Sequence, residues 1–105
     1  MPQFLITYLG GEQPSTPEEG KQHFAKYQAW LASLADKAVS PANPVKNTHT
    51  IYPDGKVVAI STTAMSGYTI IEADSIEAAL ALAGSCPFLE VKGSLEVSEL
   101  IKMPG

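Results

Sequence analysis

Arginine is absent from this chain. Its seven basic residues are all lysines (Lys21, Lys26, Lys37, Lys46, Lys56, Lys92 and Lys102), scattered among eleven acids, and the net charge is −4. A nucleic-acid binder needs a concentrated basic face, usually with arginine to read base edges, so no nucleic-acid partner is expected. Arginine is also the preferred fork for carboxylates and phosphates, which argues against a dedicated anionic-substrate site. Cysteine is nearly absent too. Cys86 stands alone, which excludes an intrachain disulfide and a cysteine-based zinc cage. No run approaches the ~20 apolar residues of a membrane span, and the start, Met1-Pro2-Gln3-Phe4, lacks the basic region and apolar run of a signal peptide. No membrane partner and a cytoplasmic location are therefore expected. Charged residues are sparse, at 17% against 45% hydrophobic. That balance is too apolar for disorder and points to apolar surface covered by a partner.

What is present reads as one small α+β domain over residues 1–105. Residues 3–9 have strand chemistry, with Phe4, Ile6 and Tyr8 on one side and Leu5, Thr7 and Leu9 on the other. Thr16-Pro17-Glu18-Glu19 opens a helix: Thr16 caps, Pro17 suits the first helical position and Glu19 closes a capping box. Phe24, Tyr27, Leu31 and Leu34 recur at helical spacing and carry the helix to about Lys37. Ser40-Pro41-Ala42-Asn43-Pro44 is a cluster of breakers and reads as loop. Thr48–Tyr52 and Lys56–Thr62 form a strand pair about the turn Pro53-Asp54-Gly55. Gly67–Ala73 is the next strand. Asp74-Ser75-Ile76-Glu77 opens a short helix to about Gly84, with Ile76, Leu80 and Ala83 as its buried stripe. Cys86-Pro87 forces extended chain, and Ser94–Lys102 is the closing strand, with Leu95, Val97 and Ile101 on one face.

Two helices cover one face of a four-stranded antiparallel sheet. A lone domain of that kind should alternate cleanly between apolar and polar residues. These strands do not. Phe4, Ile6 and Tyr8 oppose Leu5 and Leu9; Val57 and Ala59 oppose Val58 and Ile60; Tyr68 and Ile70 oppose Ile71 and Ala73. Leaving half a dozen such residues in water would forfeit on the order of ten kcal/mol, comparable to a domain's net stability. A self-complementary two-fold interface is the commonest remedy, so a homodimer is expected. The alternative is that the segment over residues 38–55 covers the second face within the chain.

The helix segment QHFAKYQAWLASL, the strand-to-helix segment GYTIIEADSIEAALALAGSCPF and the tail GSLEVSELIKM resemble the YCII-related, or DGPF-domain, family along nearly the whole chain. The resemblance implies a ferredoxin-like βαββαβ fold with an antiparallel sheet, assembled as a dimeric α+β barrel. It also implies a histidine on the first helix and an aspartate before a proline after the second. His23 matches the histidine. Cys86 stands where the aspartate is expected, and the four letters DGPF do not occur in order near Ser61–Met65.

His23 could serve as a general base, because imidazole titrates near neutrality; the plainer reading is a surface or boundary histidine. Cys86 could be a nucleophile or line a ligand site if it lay beside His23; free cysteine is more commonly a small buried apolar residue. His49, between Thr48 and Thr50, reads as an exposed histidine, and no spacing guarantees that it meets His23 around a metal. Tyr8, Tyr27 and Tyr68, with Trp30, could line an apolar pocket or be plain core. Glu72 is the carboxylate to watch there. Gly10-Gly11, followed by Glu12, is a turn and no phosphate loop. No cofactor and no metal are expected. The sequence leaves two functions open: a homodimeric small-molecule-binding domain with a cleft near His23 and some proton-transfer activity of lyase or isomerase type, or a non-catalytic dimeric interaction or regulatory protein.

Overall fold

The computed structural model describes residues 1–103. In chain order the elements are β1 (Gln3–Gly10), α1 (Pro17–Ser33), β2 (Ala38–Pro44), β3 (Thr50–Ile51), β4 (Val57–Val58), β5 (Met65–Glu72), α2 (Ile76–Ala83) and β6 (Gly93–Glu99), with 3-10 turns at Ala35–Lys37 and Pro87–Val91. Strands β2, β5, β1 and β6 form one antiparallel sheet in that spatial order. Each helix connects a central strand to an edge strand. This is the split βαβ arrangement of ferredoxin-like folds, as the resemblance implied.

The core lies on the helical side of the sheet. Phe4, Ile6 and Tyr8 of β1 are buried, and their cross-strand partners on β5 are Ile71, Thr69 and Gly67. Across the other edge Ile6 faces Val97 and Tyr8 faces Leu95. Alternation sends Leu5, Thr7 and Leu9 to the opposite side, where they are half-buried.

Helix α1 starts as expected. Thr16 Oγ1 accepts from the Glu19 backbone N–H at 3.1 Å, and Pro17 occupies the first position. The Glu19 carboxylate reaches one residue further back, accepting from Ser15 N at 3.0 Å and Ser15 Oγ at 2.6 Å. These bonds hold it below the usual carboxylate range. The helix ends at Ser33 rather than near Lys37: Leu34 is buried, Ala35 takes a positive φ of 50°, and the chain turns into β2. Trp30 fixes α1 to the end of α2, its indole N–H donating to Leu82 O and Ser85 Oγ, each at 3.1 Å.

Helix α2 is capped by Ser75, whose hydroxyl accepts from Ala78 N at 3.2 Å. Its buried stripe differs from the expected one. Ala79 and Ala83 are buried, whereas Ile76 and Leu80 are exposed. Small residues let the helix approach the sheet closely, so the larger apolar side chains face away. Phe24 on α1 is likewise 59% exposed rather than part of the core.

The largest correction concerns residues 38–64. Ser40–Pro44 belongs to β2, not to a loop. Two prolines are tolerated because β2 is an edge strand, paired only with β5, where half the backbone N–H groups have no partner to lose. The ladder is irregular between Ala38 and Asn43. The hairpin expected from Thr48 to Thr62 exists only as the short pair β3–β4, outside the main sheet. Ile51 and Val57 of this pair are exposed, as is Ile60 just after it. Ile101, expected to share a face of the last strand with Leu95 and Val97, lies beyond β6 and is exposed as well.

The chain is a slab with Cα extents of 46 × 43 × 18 Å and a radius of gyration of 15.3 Å, above the ~13 Å of a compact chain of about this length. Eighteen ångströms accommodates a sheet and one layer of helices. Among the described residues, no helix is long and apolar enough to cross a membrane.

Candidate functional site

A cleft of about 480 Å³ opens between α1 and the β2–β5 side of the sheet, lined by Tyr8, His23, Tyr27, Pro44, Gly67 and Phe88 among others. Three elements supply the side chains that reach into it from the sheet centre, the helix and the turn. β1 projects Tyr8 from the inner face. α1 places His23 and Tyr27 four residues apart, hence on one helical face. The turn after α2 brings Phe88. Gly67 is the β5 residue opposite Tyr8, and a side chain there would strike the Asn43 carbonyl at 2.9 Å. The missing side chain lets β2 approach and leaves the floor of the cleft open.

The aromatic rings brace one another. Tyr8 meets Tyr27 edge-on at 6.0 Å and Phe88 edge-on at 5.3 Å, while Tyr27 stacks on Trp30 at 6.0 Å. A chain of hydroxyls runs beneath them. Tyr27 Oη donates to Tyr8 Oη at 3.0 Å, Tyr8 bonds Thr69, and Thr69 Oγ1 donates to Pro41 O at 2.6 Å. Burial pushes the Tyr8 phenol far above its ordinary range, so it stays neutral at any physiological pH.

His23 is half-buried and lines two spaces. One is the apolar cleft; the other is a polar recess of about 300 Å³ that also carries Glu19, Lys26 and Glu90. An imidazole in that wall can face a ligand on one side and water-accessible carboxylates on the other. The Lys26–Glu90 pair at 3.1 Å is exposed and contributes little to stability.

Of the residues singled out in the sequence, His23, Tyr8, Tyr27 and Tyr68 gather around the cleft. Tyr68 does so from the strand backbone: its neighbours Gly67 and Thr69 face inward, so by alternation its ring leaves the outer face. Cys86 does not line the cleft. It is 2% exposed in the core, and burial pushes its thiol upward, the reverse of what a nucleophile needs. A thiol-reactive dye is therefore expected to label folded protein slowly and denatured protein at once; rapid labelling of the folded chain would contradict this placement. Trp30 is a helix anchor rather than cleft wall. Glu72 lies at the end of β5, paired with Gln3. His49 is exposed, its Nδ1 2.8 Å from Asn47 O. Among the described residues, no group of three or more His, Cys, Asp or Glu is placed to hold a metal.

Sequence reasoning missed Thr69, Phe88 and the β2 wall. Thr69 carried a signal, being a polar residue at an inward strand position between Gly67 and Ile71. Phe88 follows Cys86-Pro87 and has no periodicity to mark it.

No protein-family model matches the chain, and no curated protein does. Solved structures do. One is the 5-chloro-2-hydroxyhydroquinone dehydrochlorinase of Burkholderia phenoliruptrix AC1100, in complex with 2,5-dihydroxybenzoquinone. It matches with a TM-score of 0.59 and 20% identity over 94% of this chain and 93% of that one. The likeness shows a shared fold.

Proposed function

We propose that this chain is a homodimeric small-molecule-binding protein related to the YCII group, whose cleft takes a small, flat, uncharged aromatic compound, with His23 as the group that exchanges a proton with it. The observation that carries this reading is the lining: aromatic edges and faces with a single internal chain of hydroxyls, the imidazole of His23, and no lysine or carboxylate among the lining residues. Ligand sites typically combine an apolar lining with a few placed polar groups, in volumes of about 300–1,000 Å³. The dehydrochlorinase of the same fold was captured with 2,5-dihydroxybenzoquinone, a flat ring that carries hydroxyl donors beside its quinone oxygens. Cys86 in place of the family's aspartate favours binding over fast chemistry, since a buried neutral thiol neither accepts a proton nor orients an imidazole as a carboxylate does.

Phenol and hydroquinone are expected to raise the melting temperature of the chain in a concentration-dependent way, as any ligand selective for the folded state does. His23→Ala should keep the unliganded melting temperature within about 2 °C, since a half-buried helical residue contributes little to the core, and weaken hydroquinone binding severalfold. No stabilisation by either compound at millimolar concentration would overturn the reading in favour of a protein-binding role.

A further inference from the structure

The hydroxyls under the cleft have a fixed direction. The Pro41 carbonyl can only accept. Thr69 has one hydroxyl proton, and it is donated to that carbonyl. In the bond between Tyr8 and Thr69, the proton must then come from Tyr8. With that proton directed inward, the Tyr8 oxygen accepts, and Tyr27 donates to it at 3.0 Å. Every proton in the row therefore points away from the cleft, and the row ends on Tyr27, which is half-buried and lines the opening. Its proton is committed, but the oxygen retains a lone pair.

We infer that Tyr27 presents the cleft with a hydrogen-bond acceptor, and that the site selects aromatic ligands carrying a hydroxyl donor over isosteres that can only accept. The inference rests on the cleft being a ligand site and specifies the ligand's polarity. A phenolic hydroxyl donates to Tyr27 Oη and leaves the row intact. A ketone or quinone oxygen gains a donor only if Tyr27 turns its proton outward and abandons Tyr8, leaving one buried hydroxyl short of a partner. A neutral, hydroxylated ring, such as a phenol or hydroquinone, fits the row; the quinone form fits less well. The burial that keeps Tyr8 neutral maintains this direction, since an ionised Tyr8 could not donate to Thr69.

Titration of the folded protein with phenol, acetophenone and toluene, followed calorimetrically, tests this. Phenol is expected to bind about tenfold more tightly than acetophenone, the equivalent of one hydrogen bond, with toluene no better than acetophenone. Tyr27→Phe should remove most of phenol's advantage. Tyr8→Phe takes away the inward acceptor and frees the Tyr27 proton to face the cleft. Acetophenone should then bind about fivefold more tightly than it does to the parent chain, a gain that damage to the fold would not produce. Equal binding of phenol and acetophenone to the parent chain would overturn the polarity and leave the cleft as a ligand site. Failure of all three to bind would overturn both. If Tyr8→Phe does not fold, the parent ratio and the Tyr27→Phe titration decide.

Discussion

Ile70→Lys is expected to halve the mass measured by light scattering at micromolar concentration, turning a dimer into a monomer. Ile70 sits on β5 directly opposite Leu5 of β1, on the face that no helix covers. On that face the next pair along is Thr7–Tyr68, followed by Leu9–Met65, and Gln3–Glu72 lies on the other side, whereas the neighbouring β6 positions are Ser94, Glu96 and Ser98. The result is an apolar centre with a polar margin on one side, the plan of a protein interface. A slab two layers thick supplies no lid for it: residues 38–44 lie in the sheet as β2, and β3 and β4 pack chiefly on each other. In the two-fold sheet interface proposed above, a lysine here would be buried in both copies and unpaired, each costing on the order of 3–5 kcal/mol. Association should weaken at least about a thousandfold. The inner face is untouched, so far-ultraviolet circular dichroism should stay near the parent spectrum. A parent chain that is still monomeric at about 100 µM, where a dimer with a dissociation constant of about 10 µM or below would be mostly assembled, would refute the two-fold sheet interface.

Gly93→Ala should damage both stability and binding although it adds one carbon. A β-carbon at Gly93 would lie 2.2 Å from Phe88 Cε2 and 2.3 Å from Cδ2, well inside van der Waals contact. Gly11 lies beside the ring's other edge, where an added carbon would sit 2.9 Å from Cε1 and Cζ, so room to retreat within the ring plane is limited. Its remaining exits lead off the Tyr8 edge contact or into the cleft. Overpacking of this kind costs about 1–3 kcal/mol, and in a domain of this size each kcal/mol lowers the melting temperature by about 4–8 °C. Phenol affinity should fall about tenfold or more as the ring intrudes. Gly93→Ala combined with Phe88→Leu should recover much of the melting temperature, since the smaller branched side chain relieves the clash. A Gly93→Ala protein that melts and binds like the parent would show that Phe88 is not held where the structure puts it.

The fold was legible wherever local chemistry and the sheet's needs agreed. Thr16-Pro17 and Ser75 signal their helices because a hydroxyl followed by free N–H groups has one good use. The alternation of Phe4, Ile6 and Tyr8 marks the core face because β1 is central and pairs on both sides. Legibility failed where tertiary context overrode composition. Ser40–Pro44 looks like loop because prolines normally exclude a strand, and only its place at the sheet margin makes it tolerable. Ile76 and Leu80 looked buried because size and period suggest it, yet closeness between α2 and the sheet favoured alanine. The cleft was half visible. Tyr8 and Tyr27 could be named from their spacing and His23 from the resemblance, whereas Phe88, Thr69 and Gly93 act through neighbours distant in sequence.

The prolines of β2 have a consequence for how these chains can meet. Open sheet margins invite further strands, and proteins that add strands there grow into fibrils. Pro41 and Pro44 remove the donors at two of the seven positions of β2, and Glu96 and Glu99 place like charges along β6 at the opposite end of the sheet. Strand-by-strand polymerisation is thereby discouraged at both rims. If two copies meet as proposed, through the broad flat side, one encounter uses up that surface and growth stops.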